Sequence, residues 1–376
     1  MAIGISSSYN EEGWINPINS KNQKGTTMSL LDRMKAAGSF KVTTLDDSIL
    51  FHEKDLATTP IPIINVAFSG RLDGGIASGL TIAAGPSKHY KSLLGLICMG
   101  AYLKKHPDGI ALFYDSEFGI SPEYLAQNGI DGSRVLHIPI MHIEQLKFDI
   151  VKRLDEIKRG DKVFVFIDSL GNLASKKEVE DAMDEKSVAD MTRAKANKSL
   201  FRIITPHFTV KDIPGFIVAH TYDTMEMYSK KVVSGGTGMY YSAQTIFIIG
   251  RSQEKVGTDV AGWNFTLNIE KSRFVKEKSK LTFQVMYEQG MNEFSGLLEL
   301  ALESKHVTKP KNGWYSRAGI DTESGEIWKE KDTNSKEFWA PIVTNEEFNL
   351  FVQNKFVLSS TYEMIEDLAE EDVEDD

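Results

Sequence analysis

The sequence predicts an α/β protein with a mainly parallel central sheet flanked by helices. Three observations carry that reading. Short, unbroken apolar runs recur at Leu80 to Ala84, Ile110 to Tyr114, Val163 to Ile167, Phe216 to Ala219 and Ile246 to Ile249. Strands apolar on both faces belong in a sheet covered on both sides. Helical patterns separate the runs, the alternation that crossover connections between parallel strands require. The first run breaks at Gly85-Pro86 into a polar loop ending at Lys91-Ser92, followed by a helical apolar stretch from Leu93 to Leu103.

Before that core, residues 1–27 are polar, rich in Gly, Ser and Asn and without periodicity, which predicts a disordered extension. From Met28, the stretch SLLDRMKAA predicts a short helix with Ser29 as N-cap and Leu30, Leu31 and Met34 on one face. Residues 41–64 read as a linker ending in the stiff Pro60-Ile61-Pro62, so residues 28–64 form an N-terminal helix plus linker and the core begins near Asn65.

Strand, glycine loop, Lys-Ser and helix is the order of a phosphate-binding loop. Its backbone N–H groups and the positive helix end face a polyphosphate, the Lys ammonium reaches the outer phosphates and the Ser hydroxyl ligates Mg²⁺. This places a nucleoside triphosphate on Gly85, Pro86, Ser87, Lys88, His89, Tyr90, Lys91 and Ser92. The full motif has a second glycine where this chain has Tyr90, and a Tyr adopts positive φ there only at some cost. Taken alone, the stretch also reads as an ordinary strand-to-helix turn with a surface Lys.

Ligands of such sheets collect at the carboxyl ends of the strands. There the second run is followed by Ser116 and Glu117, a carboxylate placed to orient or deprotonate a water. The third run ends on Asp168, the form of a Walker B carboxylate holding Mg²⁺. Between the third and fourth runs, Lys186, Arg193, Lys195, Lys198 and Arg202 stand against Asp190, a basic stretch able to neutralise phosphates or simply to solvate a helix face. After His220 the chain offers Tyr222, Met225, Tyr228, Lys230 and Lys231, then Gly235 and Gly236. Aromatic and apolar residues in a glycine-flanked loop suit unstacked bases. Beyond the fifth run, WNFTLNIEKSRF and LTFQVMYE predict paired strands, with Lys271 and Arg273 at alternate positions and therefore on one face.

Composition fits a soluble globular class, with 41% hydrophobic and 26% charged residues, and Leu93 to Leu103 is too short to cross a bilayer. No membrane partner is expected, and the lack of a secretory h-region predicts a cytoplasmic location. Cys98 is the only cysteine, which excludes an internal disulfide and a multi-thiolate metal site. The net charge of −10 is concentrated in residues 359–376, whose nine acidic residues stand without a basic one, so the body is nearly neutral. That run predicts an acidic disordered tail.

The ordered set GPSKHYKS, YDSEFGISPEYL, VFIDSLGNLASKKEVED, VAHTY and VSGGTGMYYSAQTIFIIG resembles the RecA-type recombinases, most closely those of bacteriophages, the UvsX recombinases. The resemblance runs from about Met28 to about Tyr315. It implies a RecA-like P-loop ATPase core over residues 65–305, a small helical C-terminal region over 306–358, and ATP with Mg²⁺ as cofactors. It gives Glu117 as the water-activating glutamate, Asp168 as the Walker B aspartate, Tyr124 as the residue stacking on adenine, and His220 as the sensor linking the γ-phosphate to DNA. Lys271 and Arg273 would reach a neighbouring subunit's nucleotide. Residues 171–186, with Lys176 and Lys177, and residues 221–238 would be DNA-binding loops. The implied function is an ATP-dependent recombinase that forms a helical filament on single-stranded DNA and exchanges strands with a homologous duplex. A recombination mediator and a single-strand-binding protein would be partners, and the location would be a bacterial host's cytoplasm. A hexameric helicase on the same core and a non-catalytic, filament-accessory DNA-binding module are the competing readings. The N-terminal helix and linker favour an open filament over a ring, and Glu117 speaks against the accessory module.

Overall fold

The computed structural model describes residues 28–40, 42–50, 54–184, 192–223, 231–234, 236–322 and 324–358. The expected extension and acidic tail, together with Lys186, Asp190, Met225, Tyr228, Lys230 and Gly235, lie outside the described residues. The chain divides into two compact units, residues 1–52 and 53–376. In the first, α1 (Leu30–Ala37) starts where its cap predicts, the Ser29 side chain accepting from the Asp32 N–H at 3.1 Å. Leu30, Leu31 and Met34 are each more than half exposed.

The second unit opens with α2 (Pro62–Ser69), then β1 (Gly79–Ala84), α3 (Lys91–Lys105), β2 (Ile110–Asp115), α4 (Pro122–Gln127), β3 (Val135–Pro139), α5 (Ile143–Glu156) and β4 (Val163–Asp168). It continues with α6 (Lys176–Met183), α7 (Thr192–Val210), β5 (Pro214–Ala219), the short pair β6 (Thr221–Asp223) and β7 (Lys231–Val233), and α8 (Thr237–Ser242). Three longer strands follow, β8 (Thr245–Val256), β9 (Asp259–Lys271) and β10 (Lys280–Met286), then β11 (Gly290–Met291) and α9 (Leu297–Glu303). The last elements are β12 (Val307–Lys311), β13 (Trp314–Arg317), β14 (Trp328–Lys329), α10 (Lys336–Val343) and α11 (Glu346–Phe356).

Among the described residues nine strands form one sheet in the order β11-β10-β9-β8-β1-β5-β4-β2-β3. The five predicted runs are β1, β2, β4, β5 and β8, all mutually parallel, and β9 to β11 add antiparallel pairs beyond β8. Alternation along β4 sends Phe164 and Phe166 into the cluster under α2 and α3, and Val163, Val165 and Ile167 into the one under α5 and α7. The helix α3 approaches β4 closely because Gly95 carries no side chain; a Cβ there would overlap the Phe166 ring.

Four expectations change. Pro62 does not stiffen a linker but occupies the first turn of α2, where its missing N–H costs nothing, and Ile61, Ile63 and Ile64 are buried in the core. The strand β3 was not anticipated, because VLHIP lies at the sheet edge with only a partly buried pattern. The C-terminal region is not purely helical: β12, β13 and β14 form an antiparallel sheet. It is not a separate body either, since Val307, Tyr315, Trp339 and Phe348 share one hydrophobic cluster with α2, α3 and β9.

Candidate nucleotide site and DNA loops

The phosphate-binding loop joins β1 to α3 as the sequence predicts. Lys91 begins the helix, is 6% exposed, and donates its Nζ to the Pro86 carbonyl at 2.8 Å. Burial lowers its ammonium pKa, and Glu117 and Asp168 partly offset that. Tyr90 does take the left-handed conformation, at φ 54°, and its ring packs on Phe265 with centroids 4.5 Å apart. His89 is buried, with Nδ1 2.9 Å from the Ser87 carbonyl oxygen. Its side chain therefore belongs to the loop's own scaffold, leaving the backbone to serve a ligand. Tyr124 lies in the first turn of α4, its N–H donating to the Ser121 cap at 3.2 Å, and is close to Tyr90; burial and then the Tyr90 phenol raise its own phenol pKa.

Parallel register sets Asp115, the last residue of β2, beside Asp168, the last of β4. Asp168 is 3% exposed and its carboxyl is pushed up to about 7. Burial is the main cause; the Ser92 hydroxyl pulls it back, Glu117 and Asp115 raise it further, and Lys91 lowers it. Its Oδ1 has no hydrogen-bond partner. A buried carboxylate oxygen left without a partner beside a Ser hydroxyl fits a hard divalent cation, the donor set of a magnesium site completed by water and phosphate.

Glu117 is held from two sides. Asp115 Oδ1 accepts from the N–H groups of Glu117 at 3.0 Å and Phe118 at 2.7 Å, fixing the turn after β2. The Glu117 side chain accepts from Asn172 Nδ2 at 3.1 Å and lies 3.6 Å from His220 Nε2. His220 Nε2 is also 3.1 Å from Asn172 Oδ1, so its acceptors converge on the tautomer protonated at Nε2. Burial, then Lys91, lower the imidazole pKa, with Glu117 opposing and Arg193 adding to the fall. The ring is therefore neutral at neutral pH. Asn172 links Glu117, the strand-end histidine and the start of the segment expected to be the first DNA-binding loop in a single side chain, and it was not singled out from the sequence. Neither were Asp115 and Arg251, the latter donating Nη1 to the Lys88 carbonyl at 3.0 Å.

The first segment expected to bind DNA is partly helical over its described residues. Ser175 and Glu178 form a reciprocal capping box that starts α6, with Lys176 and Lys177 in its first turn. The second begins and ends as the antiparallel pair β6–β7, with Tyr222 exposed and Lys231 at the start of β7; Gly236 then precedes α8 at φ 81°. The helix α7 borders both loops: Arg193 donates to the Gly171 carbonyl, and Gly238 packs on Lys198. Arg193 is thus engaged in holding the first loop, while Lys195 and Lys198 are exposed. Arg202, also exposed, lies roughly 14 Å further along the helix from Arg193. Lys271 ends β9 and donates Nζ to the Tyr240 carbonyl at 2.8 Å, at the end of α8. Arg273 is not at an alternate strand position, because β9 stops at Lys271 and Arg273 sits exposed in the following turn.

A phosphate-binding-type loop and a strand-end acid pair gathered at the carboxyl edge of one parallel sheet define a P-loop ATPase. Residues 38–292 match the family model of the RecA N-terminal domain, and residues 294–352 match the C-terminal domain of the bacteriophage T4 recombination and repair protein. The recombination and repair protein of Enterobacteria phage T4 is 52% identical over 338 residues, 88% of this chain and 86% of that protein. Protein RecA of Prochlorococcus marinus is 26% identical over 72% of each chain, and that of Arthrospira platensis 24% over 79% of each. The chain belongs to the RecA-type recombinase family, and it is a DNA-dependent ATPase of recombination.

Proposed function

We propose that this protein forms a helical filament on single-stranded DNA and that ATP binds between protomers. One protomer supplies Lys91, Ser92, Glu117 and Asp168, and the next supplies Lys271 and Arg273. Lys91 would neutralise the outer phosphates and Glu117 would orient the attacking water. Ser92 and Asp168 would hold Mg²⁺, which when bound lowers the charge on the phosphates. His220 and Asn172 tie Glu117 to the first DNA loop, so nucleotide and DNA binding are linked and reciprocal. Tyr124 would stack on the adenine. The exposed Lys176, Lys177, Lys195, Lys198, Arg202 and Lys231 would meet phosphates, and Tyr222, with Met225, Tyr228, Lys230, Gly235 and Gly236 of the same loop, would meet bases and backbone. The apolar face of α1 would contact the adjacent protomer, since Leu30, Leu31 and Met34 are exposed together. A homologous duplex, a recombination mediator and a single-strand-binding protein would be partners in a bacterial host's cytoplasm. No helix among the described residues is long and apolar enough to cross a membrane.

The observation that supports this reading is the Glu117–Asn172–His220 triangle, through which hydrolysis would be coupled to the proposed DNA loop. A mixing experiment tests the shared site. Protomers with Lys271→Ala and Arg273→Ala keep an intact phosphate-binding loop, and Glu117→Ala protomers keep intact basic residues. Each alone should be nearly inactive as an ATPase. Mixed on single-stranded DNA, they form junctions where native Glu117 meets native Lys271 and Arg273, and part of the activity should return. ATPase no higher than the average of the two, with co-assembly verified, would reject a site shared between protomers.

A further inference from the structure

Two residues of the phosphate-binding loop, Lys88 at φ 62° and Tyr90 at φ 54°, occupy the left-handed region that glycine enters without steric cost. Both are held by side chains from the antiparallel pair β8–β9. Arg251 Nη1 donates to the Lys88 carbonyl at 3.0 Å, across 163 residues of chain, and Phe265 packs on the Tyr90 ring. Arg251 and Phe265 are directly opposite in the β8–β9 ladder. Trp263, two residues before Phe265, shares its face of β9. The Arg251 guanidinium lies 4.3 Å from the Trp263 ring centroid, and the Trp263 indole N–H donates to the Tyr287 hydroxyl at 2.7 Å.

We propose that Arg251, with Trp263 beneath it and Phe265 beside it, is an external clamp on the phosphate-binding loop, and that Arg251 is a positioning residue for nucleotide binding. The proposal rests on the nucleotide reading of that loop. A trans peptide is planar, with its C=O and N–H pointing to opposite sides. Pinning the Lys88 carbonyl towards β8 therefore turns the His89 N–H away from β8 and fixes one of the loop's backbone donors. Such donors serve a phosphate only when they are held together beforehand. In the usual motif the second glycine lets the loop reach its shape unaided. Here Tyr90 replaces that glycine, and β8–β9 supplies the restraint from outside.

The test is equilibrium binding of a fluorescent ATP analogue to the full chain, with ATPase kinetics alongside. Lys91→Ala serves as the control for the loop itself. Arg251→Met should weaken binding about tenfold, the equivalent of one hydrogen bond made by a charged donor. In turnover that loss should fall on KM for ATP, with kcat at saturation changing less than about twofold. Arg251→Lys keeps a charged N–H donor only one bond shorter than the guanidinium nitrogens and should recover part of the affinity. Trp263→Leu should weaken binding about threefold alone and add little to Arg251→Met, because both act through one guanidinium. Binding by Arg251→Met within twofold of the native protein, or Arg251→Lys as weak as Arg251→Met, overturns the clamp. Native affinity in Lys91→Ala overturns the nucleotide reading beneath it, a result separable from failure of the clamp because the control alone reports it.

Discussion

At Gly171 the backbone has an ordinary φ, so the residue is glycine for lack of room: a Cβ would overlap the His220 ring. That close approach keeps His220 within reach of both Asn172 and Glu117. Gly171→Ala should push the imidazole away from them. The expected result is a DNA-stimulated ATPase rate at least tenfold lower, with nucleotide affinity within about threefold of native, since the phosphate-binding loop is untouched. Rates with and without single-stranded DNA, beside a nucleotide titration, check it; unchanged DNA stimulation would dissociate His220 from the coupling. Lys91, Glu117 and Asp168 stood out in the sequence because each ends or follows an apolar run in motif order, while His220 was singled out only by the resemblance. Asp115, Asn172 and Arg251 were not, because their roles arise from contacts that no local pattern announces. Asn172 meets His220 across 48 residues and Arg251 meets Lys88 across 163.

Among the elements, the join between β13 and α10 depends on a buried ion pair. Arg317 and Asp321 have side chains 9% and 1% exposed. Arg317 Nη2 reaches Asp321 Oδ1 at 2.6 Å and Nη1 donates to the Glu337 carbonyl at 3.0 Å, with the guanidinium over Trp328 and Phe338. Burial alone would raise the Asp321 pKa, but the Arg317 side chain and N–H groups outweigh it and hold the carboxyl below the usual aspartate value. A depressed folded-state pKa stabilises above the unfolded value and is lost as pH falls through the folded one. Asp321→Asn should therefore destabilise the chain at pH 7 by about 3 kcal/mol, since it removes the carboxylate bonded to the buried guanidinium and leaves only the more distant Glu326, at 3.8 Å, to balance it. The gap between variant and native should close below about pH 4. Denaturant unfolding across pH checks both; a gap independent of pH would mean that packing, not charge, is lost. This region was poorly legible in the sequence. The strand β12 reads VTKPK, exposed after its first residue, and offers no apolar run, whereas β1, β4 and β5 are buried at every position and announce themselves.

For the whole molecule, charge is the clearest long-range property. Nine carboxylates in residues 359–376 against a nearly neutral body make the tail a competitor with DNA for Lys195, Lys198 and Lys231. Ending the chain at Ser359 should tighten duplex binding on the order of tenfold at low salt and steepen its salt dependence. The difference should vanish near 1 M salt, where screening acts over about 3 Å. Superimposable salt titrations of the two proteins would show the tail to be inert towards DNA.

The strand β9 touches three things along its length. Trp263 underlies Arg251, Phe265 supports Tyr90, and Lys271 holds the carbonyl of Tyr240 in α8, the helix that follows β6 and β7. From Phe265 to Lys271 is six residues, roughly 20 Å of extended chain. It is laddered to β8 on one side and, as far as Asn268, to β10 on the other, so over that stretch it lengthens very little. From Phe265 to Asn268 the ladders on both sides resist sliding, whereas between Ile269 and Lys271 the β8 register shifts and β10 no longer pairs. A displacement imposed on Tyr90 would therefore be carried along a stiff strand and taken up at that irregularity, one step short of the Lys271 contact with α8.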